Sequence, residues 1–169
     1  MDIVTVSNSN VLDYLHDPSP RTLGRSPLEW LEQLQKPTVV RVAGRDRSRT
    51  RAMATLLHGN EPSGLFALHR WLLEQHTPEV NMLFLLGGVY PAKIPPTLSL
   101  RQLPAGRDLN RCFKEPFAGE EGAIAKAMLS ELHDANPECL LDVHNTSGTG
   151  PAFAVTITND AAHQALTSL

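Results

Sequence analysis

Two cysteines in 169 residues, Cys112 and Cys139, fall in no close-spaced motif. Free thiols in a reducing cytosol are the expectation, and a disulfide between them is unneeded. An excess of positive charge is also missing. The 15 Lys and Arg against 18 Asp and Glu leave a net charge of −3. That argues against nucleic acid or an anionic membrane as a partner. No apolar run approaches the ~20 residues of a membrane span. Met1-Asp2 is followed by neither a basic segment nor the apolar stretch of a secretory signal. These absences together predict a cytoplasmic location. The chain has no internal repeat, no low-complexity segment and no interdomain linker. What is present is ordinary: a hydrophobic content of 41% in a length that suffices for one domain, residues 1–169, with a real core.

The periodicities predict alternating strands and helices. Ile3–Val6 reads as a short strand. Ser26-Pro27-Leu28-Glu29 reads as a capping box with proline at the first helical position, opening a helix to about Gln35. Val39–Ala43 and Ala52–Leu57 read as strands. Between them, residues 44–51 read as a basic turn joining two antiparallel strands, its arginines in solvent. Pro62 to about Gln75 is a helix with Leu65, Leu68 and Leu72 on one stripe. Val80–Leu86 is an apolar strand. Residues 87–107 form a long proline-rich connection, of the kind that serves a site in a compact domain. Glu120–His133 is a helix, and 139–144 and 152–158 are strands. A final helix capped by Asn159 would align Ala162, Leu166 and Leu169. This alternation predicts an α/β fold with a mixed, largely parallel sheet flanked by helices.

Two motifs carry chemistry in this frame. His58-Gly59-Asn60-Glu61 follows an apolar strand and precedes Pro62, so it spans a strand-to-helix turn. Both side chains can converge there on one ion, outside the carboxyl end of a strand, where open α/β sheets bind ligands. His144 ends a second apolar run, with Asp142 two residues earlier on the same face. Two imidazoles and a carboxylate are the three protein ligands of a catalytic zinc, whose fourth position is left to water or substrate. Asp142 would orient a ligand imidazole from behind; a structural aspartate bonded to backbone is the alternative. Between the two lies Gly106-Arg107-Asp108-Leu109-Asn110-Arg111. It reads either as a solvated turn with Asp108 as cap or as an anion clamp, in which arginine forks match a carboxylate and Asn110 donates to a substrate oxygen. His69 and His76 read as surface or partly packed residues rather than ligands.

The order H-G-N-E-P, D-L-N-R and D-V-H-N-T resembles the succinylglutamate desuccinylase/aspartoacylase family of zinc carboxypeptidase-like hydrolases, over about Thr55 to Phe153. The resemblance implies hydrolysis of the amide bond of a small, acidic N-acyl amino acid, such as an N-succinylglutamate or an N-acetylaspartate. It implies one zinc ion held by His58, Glu61 and His144, with Asn110 and Arg111 binding substrate. Of the two candidates for the family's further arginine, Arg107 is favoured over Arg101 by proximity. The family's general base is a glutamate well downstream of the third ligand. Here the only carboxylate after His144 is Asp160, and no arginine follows Arg111. The expectation is therefore the metal-binding part of such an enzyme, incomplete at its C-terminus. The alternatives are a catalytically inactive zinc- or anion-binding module and a peptide carboxypeptidase.

Overall fold

A computed structural model describes residues 11–146, 148 and 150–167. Five strands form one sheet: β1 (Asp13–His16), β2 (Thr38–Val42), β3 (Asp46–Thr55), β4 (Val80–Leu86) and β5 (Leu140–Val143), in the order β1-β2-β4-β3-β5. β4, β3 and β5 are mutually parallel, and β2 runs antiparallel to β4 and parallel to β1. The fold is thus α/β with a mixed, mostly parallel sheet. Among the described residues no helix is long and apolar enough to cross a membrane.

Alternation along the strands divides the core in two, because successive side chains leave a strand on opposite faces. Val39, Leu83, Leu85, Ala52 and Ala54 point to one face, which is covered by Ile124, Ala125 and Met128 of α5 (Gly119–Ala135). Val40, Phe84 and Leu86 point to the other. There they meet Trp30 and Leu31 of α2 (Pro27–Gln33) and Leu65, Leu68 and Leu72 of α3 (Ser63–Leu73). Burying one such Leu side chain contributes roughly 1.5–3 kcal/mol. The short α1 (Pro20–Leu23) and α4 (Val89–Lys93) complete this second layer.

The connections explain where a site can form. The link from β3 to β4 runs through α3 on one face, and the link from β4 to β5 runs through α5 on the other. Neighbouring parallel strands whose connections leave on opposite faces open a crevice at their carboxyl ends. Register places those ends level, with Thr55 opposite both Leu86 and Val143.

Local details correct several expectations. Ser26 accepts the Glu29 N–H as a cap should, but the Glu29 carboxylate turns to Arg25. Residues 44–51 are not a turn between paired strands. β3 begins at Asp46, and β4 lies between β2 and β3. The β3 arginines Arg49 and Arg51 pair with Glu138. Charge pairing at the strand's exposed end thus replaces the apolar signal. The strand expected at 152–158 does not form. Phe153, Val155 and Ile157 are 70%, 83% and 94% exposed, and a strand with neither ladder partner nor buried face has nothing to hold it. The last helix is present as α6 (Ala161–Thr167), but its cap is Asp160, which accepts the His163 N–H, rather than Asn159. Ile3–Val6 and Leu169 lie outside the described residues.

Candidate metal centre

Three elements bring the expected ligands together. β3 ends at Thr55, and Leu56 and Leu57 carry the chain inward, both buried. His58 and Glu61 follow on the turn into α3 and are 2% and 8% exposed. Gly59 is required in that turn, since a Cβ there would lie 2.5 Å from the Ala92 nitrogen. β5 delivers His144 one residue past its end. One donor atom from each of His58, Glu61 and His144 lies within 4.8 Å of the others, so the cluster can hold a metal ion.

Both imidazoles present the same edge to Glu61. His58 Nδ1 is 2.9 Å from Glu61 Oε1, and His144 Nδ1 is 2.7 Å from Glu61 Oε2. Both are also backed by a carboxylate at the opposite nitrogen. His58 Nε2 is 3.0 Å from Asp108 Oδ1, and His144 Nε2 is 2.9 Å from Asp142 Oδ2. A neutral imidazole has a single N–H and cannot donate to carboxylates on both sides. With each Nε2–H given to its aspartate, both Nδ1 lone pairs are left facing Glu61. That arrangement is repulsive unless the rings are protonated or a cation sits among the three. Carboxylate–histidine–metal relays have this form, and the outer carboxylate fixes the tautomer and orients the ring.

The charges agree. The cluster holds three carboxylates, Glu61, Asp108 and Asp142, and among the described residues one guanidinium bonds to it, Arg101, which donates to Glu61 Oε1 at 3.3 Å and to Asp108 Oδ2 at 3.1 Å. With neutral imidazoles the group carries two uncompensated negative charges, which a divalent cation would balance. Without such an ion, protons and hydrogen bonds take up the strain. Burial works against the charge on His144, but its bonds to Asp142 and Glu61 outweigh that and raise its pKa. Burial would raise the Glu61 carboxyl, yet the hydrogen bond to His144 and the adjacent His58 hold it below its ordinary value. Asp108 is lowered in the same way, burial being overcome by His58 and Arg101. The Asn145 N–H donates to Glu61 Oε2 at 3.2 Å, and Asn145 Oδ1 accepts the Ser63 N–H. The start of α3 is thereby tied to the His144 loop.

The D-L-N-R segment is a short 3-10 turn over Leu109–Arg111, capped by Asp108, whose Oδ1 accepts the Asn110 N–H at 2.9 Å. The two readings of Asp108 merge: one carboxylate caps the turn and backs His58. The side chains of Asn110 and Arg111 make no bond to the cluster among the described residues, and Arg111 Nη1 reaches only the Asn110 carbonyl. Arg107 does not reach the cluster either; its Nη1 donates to the Ala118 carbonyl at 2.8 Å. Arg101 occupies that place instead. It is the second of the two sequence candidates, and nearness to D-L-N-R, which favours Arg107, is not what decides which arginine the fold brings to the cluster. His69 is a core residue bonded to the Leu23 carbonyl. Compared with known proteins, the chain matches no protein-family model, no curated protein and no solved structure.

Proposed function

We propose that this chain is the metal-binding domain of a zinc-dependent hydrolase that cleaves the amide bond of an N-acyl amino acid, of the succinylglutamate desuccinylase/aspartoacylase kind. The observation that carries this reading is the convergence of His58, Glu61 and His144 at the carboxyl ends of β3 and β5. Two imidazoles and one carboxylate suit zinc and leave a coordination position open. Zinc held in this way lowers the pKa of a bound water towards ~7 and polarises a carbonyl oxygen.

The chain's own residues have separable tasks. His58 and His144 offer Nδ1 while Asp108 and Asp142 hold Nε2. Glu61 supplies the third ligand atom and is kept ionised by its neighbours. Arg101 lies against Glu61 and Asp108, where a guanidinium would stabilise negative charge developing on a carbonyl oxygen. Arg111 is exposed and unpaired with any acid among the described residues, so its fork is open to a substrate carboxylate.

A second reading, a zinc- and anion-binding module without turnover, is favoured by one observation. Each carboxylate of the cluster is already bound to an imidazole, which leaves no free carboxylate there to accept a proton from water. The experiment is amine release from N-acetylaspartate, N-succinylglutamate and related N-acyl amino acids by the zinc-loaded protein in its full natural length. Hydrolysis that is abolished by Glu61→Ala and by chelation is the expected result. Hydrolysis that survives metal removal, or none with any N-acyl amino acid, overturns the hydrolase reading.

A further inference from the structure

The helix that follows Glu61 has no cap of its own. α3 begins at Ser63, and Pro62, in the cap position, makes no side-chain capping bond. The first N–H groups of a helix need acceptors from outside it. For Ser63 the acceptor comes from a residue 82 positions away, since Asn145 Oδ1 takes the Ser63 N–H at 3.1 Å. Asn145 Nδ2 in turn donates to Ser63 Oγ at 2.7 Å. A side-chain amide can accept through its oxygen and donate through its nitrogen at once, so one residue makes both bonds. The first residue of α3 is thereby braced against the residue that follows His144.

The same residue reaches Glu61 through its backbone. The Asn145 N–H donates to Glu61 Oε2 at 3.2 Å, the oxygen that also faces His144 Nδ1 at 2.7 Å. Arg101 holds the other oxygen, Oε1. The Glu61 carboxylate therefore cannot turn without breaking a bond on each side. Packing beneath the brace leaves little slack. A Cβ on Gly64 would lie 1.9 Å from Thr55 Oγ1 and 3.1 Å from Val143 Cγ1, so the first turn of α3 sits directly on the last residues of β3 and β5. Packing sets how near α3 lies to β5, and Asn145 sets how Glu61 and His144 face each other.

Resting on the metal centre proposed above, we infer that Asn145 is a positioning residue that fixes Glu61 and His144 relative to each other as a ligand pair. It acts through its neighbours: its amide is engaged by Ser63 and its main-chain N–H by Glu61. Ligating carboxylates are themselves hydrogen-bonded, and losing such an outer partner costs about 10–100-fold in metal affinity. Ser63 and Asn145 are both exposed, so water competes for the brace and its loss falls at the lower end of that range.

The test compares the protein in its full natural length with Asn145→Ala, Ser63→Ala and the double variant. Zinc affinity is read by competition with a chromophoric chelator, and the visible absorption of bound Co2+ reports coordination number and ligand geometry. Asn145→Ala keeps the main-chain N–H, so it removes the brace alone. It should weaken zinc about tenfold and change the cobalt spectrum. Ser63→Ala, which keeps the bond from its N–H, should weaken zinc by a smaller factor. The double variant should be no worse than Asn145→Ala, because both substitutions remove one interaction. Urea unfolding of the metal-free variants separates a loss of fold stability from a loss of ligand geometry. Zinc affinity and a cobalt spectrum in Asn145→Ala equal to those of wild type, or losses that add in the double variant, overturn the inference while leaving the metal centre standing. A wild-type protein that binds neither ion overturns the metal centre and this role with it.

Discussion

Replacing Asp142 with asparagine leaves an oxygen that still accepts the Nε2–H of His144 but removes its charge. A hydrogen bond to a charged group contributes roughly 1.5–3 kcal/mol net, a neutral one roughly 0.5–1.5. The difference, about 1–1.5 kcal/mol, is close to a tenfold change in an equilibrium constant. Losing an outer carboxylate behind a metal-bound histidine costs about 10–100-fold in metal affinity. The Asp142 side chain is 38% exposed, so solvent screening puts Asp142→Asn at the lower end of that range. Asp142→Ala, which removes the bond as well, should approach the upper end. Asp108 is 22% exposed and bonds both His58 and Arg101, so Asp108→Asn should weaken zinc at least as much. Competition for zinc against a chromophoric chelator at fixed pH reads these changes directly. Unchanged affinity in both Asp142 variants would refute the relay. So would a loss as complete as that of His144→Ala, which would make Asp142 itself a ligand.

Three further outcomes follow from the same geometry. Zinc at about 100 times its dissociation constant should stabilise the fold by about 2.7 kcal/mol. For a domain of this size that is a rise in melting temperature of roughly 5–11 °C, reversed by chelator and readable by differential scanning fluorimetry. Gly64→Ala should destabilise the protein by about 1–3 kcal/mol in urea unfolding, because a Cβ there would run into the buried Thr55 hydroxyl and crowd Val143. Glu138 is held below its ordinary pKa by its hydrogen bond to Arg49, assisted by Arg51, and it ties the entrance of β5 to β3. A lowered carboxyl stabilises the fold above its unfolded pKa of ~4.3 and stops doing so as pH falls through its folded value. The urea midpoint should therefore favour wild type over Glu138→Gln at pH 7, and the difference should shrink as pH falls below the ordinary carboxylate range.

Much of this arrangement was legible because local rules and tertiary demands coincide. Val80–Leu86 reads as a strand and is one, since it lies at the centre of the sheet with both faces buried. The Leu65-Leu68-Leu72 stripe faces the core as its spacing requires. His58, Glu61 and His144 were readable because they lie just beyond strand ends, His58 and Glu61 on the turn from β3 into α3 and His144 one residue past β5. What was not readable depends on contacts between distant residues. Asp108 is fifty positions from His58, and Arg101 reaches the cluster through a loop whose path no periodicity encodes. Arg107 looked the better candidate only by nearness in sequence. The charged half of β3 is hard to read because its partner, Glu138, comes from the segment just before β5. Conversely, residues 152–158 have the alternation of a strand but pair with no strand of the sheet and bury no face.

The central claim is that His58, Glu61 and His144 hold one metal ion together. It is tested most directly by zinc stoichiometry and affinity, measured on the intact chain and on His58→Ala, Glu61→Ala and His144→Ala. One tightly bound zinc in the intact chain, lost in all three variants, is the predicted result. No zinc in the intact chain, or undiminished zinc in any one variant, contradicts it.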